Sequence, residues 1–135
     1  MSIAVAHQAA SAAKEIALHE AAREAFMRGS SLAVLHVVDS LDLDIADAYR
    51  SGLTEDIQNS LAAVGASDVK WDLHLSVADQ NVAERILELA ASAGAELLII
   101  GARRRSPVGK FLLGSVTQTL ILDADVPVLV VKPEA

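Results

Sequence analysis

Four of the chain's eleven basic residues, Arg103, Arg104, Arg105 and Lys110, fall within one eight-residue stretch, although the net charge is −7. Cations gathered this way in an acidic chain either hold an anion or form a solvated basic loop. Four residues after Lys110 comes Gly114-Ser115, at the predicted start of a helix. Glycine there lets a ligand approach the backbone, and the free N–H groups and dipole of a first helical turn favour negative charge. Ser115 also reads as the cap of its own helix. The two roles coexist, because a capping hydroxyl and an anion-binding amide are different groups.

The other candidates for chemistry carry less. Asp39, Asp42, Asp44 and Asp47 form an acidic series, but it lacks the central glycine and terminal glutamate of a calcium loop and reads as a solvated helix start. The histidines His7, His19, His36 and His74 have no ligand spacing. His74 falls on the wet face of a strand, His19 on a helix, and His36 near the core as a satisfied histidine. His7 ends the first strand and is the one placed for a functional role. Gly109-Lys110 does not make a P-loop, since Arg104 and Phe111 stand where that pattern needs glycine and a hydroxyl residue. No serine has a base and an orienting acid in a strand–turn–helix context. No catalytic residues are identified, and binding is expected rather than catalysis.

These residues sit on an alternation of strands and helices. Residues 3–7 form a short apolar strand and 11–28 a helix, with Ala13, Ala17, Ala21 and Ala25 four apart, Ile16 beside them, and Gly29 as a stop. Residues 32–38 form a second buried strand, followed by an acidic connection and a helix ending near Gly65. Val69, Trp71, Leu73, Leu75 and Val77 alternate with Lys70, Asp72, His74 and Ser76, so the third strand has one wet face and belongs at an edge. Asn81 and Glu84 read as a capping box for a helix with apolar positions Val82, Ile86, Leu89, Ala90 and Ala93, stopped by Gly94. Residues 97–100 form a fourth strand, apolar on both faces and therefore central. A glycine-containing loop leads to a helix from Ser115, with Gln118 completing a second capping box, to about Asp123. The fifth strand runs from Val126 to Val131.

Such an alternation predicts an α/β fold, a doubly wound five-stranded parallel sheet with helices on both faces. With the third strand at an edge the order becomes 3-2-1-4-5. Ligands of doubly wound sheets bind beyond the carboxyl ends of the strands where the order reverses. That crevice opens between Ala6-His7-Gln8 and Gly101-Ala102, where the basic run begins.

The stretch from Gly101 to Ser115, with Pro127-Val128-Leu129-Val130-Val131-Lys132, resembles the C-terminal signature of the universal stress protein family. Leu35-His36-Val37-Val38 and the turn from Gly94 to Gly101 are also similar. The family's nucleotide motif is a glycine, two residues, a second glycine, nine residues, then glycine and serine or threonine. Gly101, Gly114 and Ser115 match it; the second glycine falls on Arg104, and the family's aspartate after the first strand falls on Gln8. The resemblance implies ATP or a related adenine nucleotide, with Mg2+, as the ligand. Val37 would then lie against the adenosine, and Gly114, Ser115 and Val116 would present amides to the phosphates. Arg104 would either pair with phosphate or fill its space, and Gln8 would bond an adenine edge without a carboxylate. The alternative is a dimeric interaction protein of the same fold with a degenerate pocket.

At 135 residues the chain has the size of one domain. Much of its 53% hydrophobic share is alanine, with only 3% aromatic, so the helices are expected to pack closely on small side chains. An acidic balance argues against nucleic acid as a partner. Without cysteine, an apolar run of the ~20 residues that span a bilayer, or a basic leader, the protein is expected in the cytoplasm and off the membrane. The fifth strand is apolar on both faces and falls at a sheet edge, which needs covering. A homodimer through Val126 to Val131 is the expectation, in line with the commonly antiparallel strand pairing that the resemblance implies.

Overall fold

The computed structural model describes residues 1–7, 13–105 and 111–132, with backbone alone at 13, 103–105, 111 and 112. The elements run β1 (Ser2–Ala6), α1 (Ala13–Arg28), β2 (Ser31–Val38), α2 (Ala46–Ala63), β3 (Trp71–Val77), α3 (Val82–Ser92), β4 (Ala95–Gly101), β5 (Arg103–Arg105), β6 (Phe111–Leu112), α4 (Ser115–Asp123) and β7 (Val128–Val131). Five strands form one parallel sheet in the order β3-β2-β1-β4-β7. With β7 as the fifth strand of the main sheet, this is the predicted 3-2-1-4-5 arrangement. The basic run was expected in a loop. Arg103–Arg105 instead form β5 of an antiparallel ribbon with β6, Arg103 opposite Leu112 and Arg105 opposite Phe111, while Lys110 lies outside the described residues.

Alternation along the strands sorts the core into two layers. Ile3, Val5, Leu32, Val34, Leu97 and Ile99 pack against α1 and α2, while Ala4, Leu35, Val37, Leu98 and Ile100 pack against α3 and α4. Every residue of β1 is buried, as is the Leu97–Ile100 part of β4, which explains why their sequences show no polar alternation. On α1, Ala17, Ala21, Ala22 and Ala25 are all buried, so the helix axis lies close to the sheet. Leu18 is its one fully buried large side chain, contributing roughly 2–3 kcal/mol of apolar burial. Gly29 and Gly94 follow α1 and α3 with φ of +64° and +65°, the left-handed conformation that makes glycine a helix stop.

Neither predicted capping box forms. Asn81 sits before α3 in the left-handed region, φ 58°, and makes no cap hydrogen bond. The residue before α4 is Gly114 rather than Ser115, and Gln118 Nε2 donates to the Leu113 carbonyl at 3.0 Å instead of reaching back to a cap. The pattern of a box needs its first residue in extended conformation, and both first residues miss that condition or that position.

The two ends of the sheet differ. At β3, Trp71 and Leu73 pack inward while Asp72 is exposed. At β7 all four residues are half-buried, although Leu129 and Val131 touch one core layer and Val128 and Val130 the other. The strand is shorter than the predicted Val126 to Val131, but the Pro127 carbonyl still accepts from Leu98 N–H at 3.0 Å. Among the described residues no helix is long and apolar enough to cross a membrane.

Candidate functional site

The sheet order reverses between β1 and β4, and their carboxyl ends lead to His7 and to Gly101-Ala102. Gly101 pairs with Val131 in the β4–β7 ladder, and Ala102 N–H donates to the Val131 carbonyl at 2.8 Å. The chain then enters the β5–β6 ribbon and returns at α4. Gly114 precedes α4 with φ −69° and ψ 167°, and the first N–H to find an acceptor within the helix is that of Gln118, bonded to the Gly114 carbonyl at 3.0 Å. The amides of Ser115, Val116 and Thr117 come before it, and Gly114 has no side chain to cap them. Three amides and a helix dipole at the start of α4 suit an anion.

Ser115 and Val116 also line a groove of about 510 Å³ between α3 and α4, which runs past Glu84, Leu87 and Thr119 to Asp123 at the end of α4. The structure therefore brings Gly114, Ser115 and Val116 together at one helix start. Gly101 stands at the end of the neighbouring β4. Val37 is 6% exposed and packs in the α3–α4 core layer. Arg104 has its backbone in β5, and its side chain lies outside what is described. Gln8 lies outside the described residues. Around the acidic series, Asp44 N–H donates to Asp42 Oδ1 at 2.9 Å, a local turn before α2. Among the described residues no group of three or more acidic or histidine side chains could hold a metal ion.

Beside the crevice, on the α1–α2 face, lies a polar chain that the sequence reading missed. His7 and His36 are both buried, with their Nδ1 atoms 3.1 Å apart, and His36 Nε2 is 2.9 Å from the Tyr49 hydroxyl on α2. Burial, followed by the neighbouring His36 and Lys14, lowers the His7 pKa to about 4 against the pull of Glu15 and Asp56. Burial also lowers the pKa of His36; a hydrogen bond to the His7 backbone opposes this, and Lys14 adds to the lowering. Both rings are accordingly neutral at pH 7 and share an N–H···N bond. The register held the signal. Ala6 pairs with Leu35, so His7 and His36 are the next residues along two adjacent parallel strands.

A third cluster resembles catalytic machinery only by composition. Ser60 Oγ donates to Glu15 Oε2 at 2.6 Å and lies 2.9 Å from His19 Nε2, which is itself 3.6 Å from Glu15. In a hydrolytic triad the acid bonds the ring nitrogen turned away from serine. Here the carboxylate accepts the hydrogen bond of the serine hydroxyl itself and meets the same ring nitrogen, so the cluster ties α1 to α2.

Comparison with known proteins places this geometry. The family model described as universal stress protein family matches residues 1–132. A universal stress protein of Mycolicibacterium smegmatis is 38% identical over 117 residues, covering 87% of each chain. A universal stress protein structure from Archaeoglobus fulgidus is 30% identical with a TM-score of 0.75, covering 98% of both chains. Another from that organism, in complex with dAMP, is 27% identical with a TM-score of 0.70, again over 98% of both. With its sheet order, its Gly114-Ser115 helix start on the connection after β4 and a family match across nearly its whole length, the chain belongs to the universal stress protein family.

Proposed function

We propose that this chain is a nucleotide-responsive regulatory module, taking ATP or a related adenine nucleotide, with Mg2+, in the crevice beyond β1 and β4. The observation that carries the reading is the start of α4, on the connection that follows β4, where Gly114 has no side chain to cap the Ser115, Val116 and Thr117 amides. The relative in complex with dAMP supports an adenine nucleotide as the ligand class. In this assignment Gly114, Ser115 and Val116 receive the phosphates, Gly101 allows close passage at the end of β4, and Val37 backs the adenosine side. Arg104 supplies positive charge, and Gln8 offers an amide to the base. The module works by binding rather than catalysis, in the cytoplasm. A homodimer formed through β7 carries the signal, since β7 ends the sheet with all four residues half-buried.

A second reading rests on Arg104 and Gln8, which replace a glycine and an aspartate of the family motif. In it the pocket is degenerate and the dimer works through its surfaces alone. Denaturing the purified protein and identifying the released small molecules by mass spectrometry separates the two: an adenine nucleotide supports the first reading, and its absence together with no binding of added nucleotide supports the second.

A further inference from the structure

We infer that His7, His36 and Tyr49 form an acid-released latch that holds the first two turns of α2 and the segment before it against the rim of the crevice. The inference begins with how little else holds this region. The buried residues of α2 are Leu53, Ile57, Ser60 and Leu61, all from its third turn onward. Before them, Leu43 is 91% and Ile45 55% exposed, and Ile45 provides no side-chain cap to the helix. In this part of α2 the Tyr49 hydroxyl meets buried His36 at 2.9 Å, and exposed Arg50 reaches the Leu73 carbonyl at 3.4 Å. The stronger tie therefore runs through an imidazole.

That imidazole belongs to a chain with a fixed proton count. Neutral His36 has one N–H and one bare nitrogen, so it accepts from one neighbour and donates to the other. A proton added to His36 turns both of its nitrogens into donors. A proton on each ring leaves two N–H groups 3.1 Å apart with no acceptor between them. Neither state suits a buried pair, so acid favours letting α2 swing away and water in. The charged groups facing the pair are Lys14 and Glu15 on α1 and Asp56 on α2, all of which line with His7 a small cavity of about 330 Å³. Glu15 and Asp56 draw the proton in, and Lys14 opposes it. Since His7 closes β1 at the switch point, release of the latch reaches the crevice edge. The latch is independent of what the crevice binds.

Amide hydrogen exchange, corrected for the intrinsic rate at each pH, tests it on the intact chain. Between about pH 7.5 and 4.5 the protection of residues 39–52 should fall about ten-fold or more and stay well below that of α1 and β4, which open only with global unfolding. Tyr49→Phe removes only the hydroxyl, so the variant folds, and it should show the low protection of 39–52 already at pH 7.5. Tyr49 is the only tyrosine in the chain, which makes its ring signal in NMR a second readout of the same release. Unchanged protection of 39–52 in acid would overturn the latch. So would residues 39–52 as well protected in acid as α1 and β4, or a Tyr49→Phe variant that behaves as wild type.

Discussion

His7 Nδ1 lies 3.1 Å from His36 Nδ1, joining the ends of two adjacent parallel strands inside the protein. Neither imidazole reaches a carboxylate in this contact, so the pair is stable only while it is neutral. The pairing makes folding itself sensitive to pH.

A group neutral in the fold with its pKa lowered to about 4, against 6.5 when unfolded, gives its full stability above pH 6.5. That stability is lost as pH falls from there toward 4, because the unfolded chain takes up the proton first. For His7 the loss amounts to about 2 kcal/mol by pH 5 and about 3 kcal/mol by pH 4. His36 adds to it in the same direction. Urea unfolding at a series of pH values should show this slope, and His7→Asn, which keeps a polar atom near Nδ1 but cannot titrate, should flatten it. Equal slopes in the two proteins would contradict the assignment.

Arg104 decides how the crevice handles phosphate. If it neutralises charge, Arg104→Ala weakens ATP more than adenosine, and the difference shrinks in high salt. If it fills the phosphate's place, Arg104→Gly tightens ATP. Calorimetry on the three proteins distinguishes these outcomes, and equal affinities would remove Arg104 from the site.

The open edge at β7 predicts a homodimer at micromolar concentration in sedimentation. Val130 pairs with Ile100 on the inner side and packs with the α3–α4 layer while remaining half-exposed. Val130→Lys places a charge in the proposed seam and should give monomer or aggregate. A wild-type monomer at that concentration would refute the proposed assembly.

Much of this arrangement was legible in the residues themselves. The alternation from Val69 to Val77 marked an edge strand, and from that one placement the whole order β3-β2-β1-β4-β7 followed. The apolar runs in β1 and β4 marked them as central, and Gly29 and Gly94 marked helix stops. Capping failed because side-chain identity does not fix backbone conformation: Asn81 took the left-handed region and Ser115 entered the helix. The His7–His36–Tyr49 chain was missed because each histidine was weighed alone, whereas their meeting depends on the register of β1 against β2. Glu15 and His19 are four apart on α1, but Ser60 joins them only through the packing of α2 on α1, which no local pattern encodes.

Isothermal titration of the purified protein with Mg-ATP, beside Gly114→Val, tests the central claim most directly. Gly114 has φ −69° and ψ 167°, a conformation open to any residue, so valine there crowds the amides of α4 without straining the backbone. The account predicts saturable binding of ATP to the wild type and none to a Gly114→Val variant whose circular dichroism is unchanged. No heat with ATP, ADP or AMP in the wild type, or undiminished binding in the variant, would contradict it.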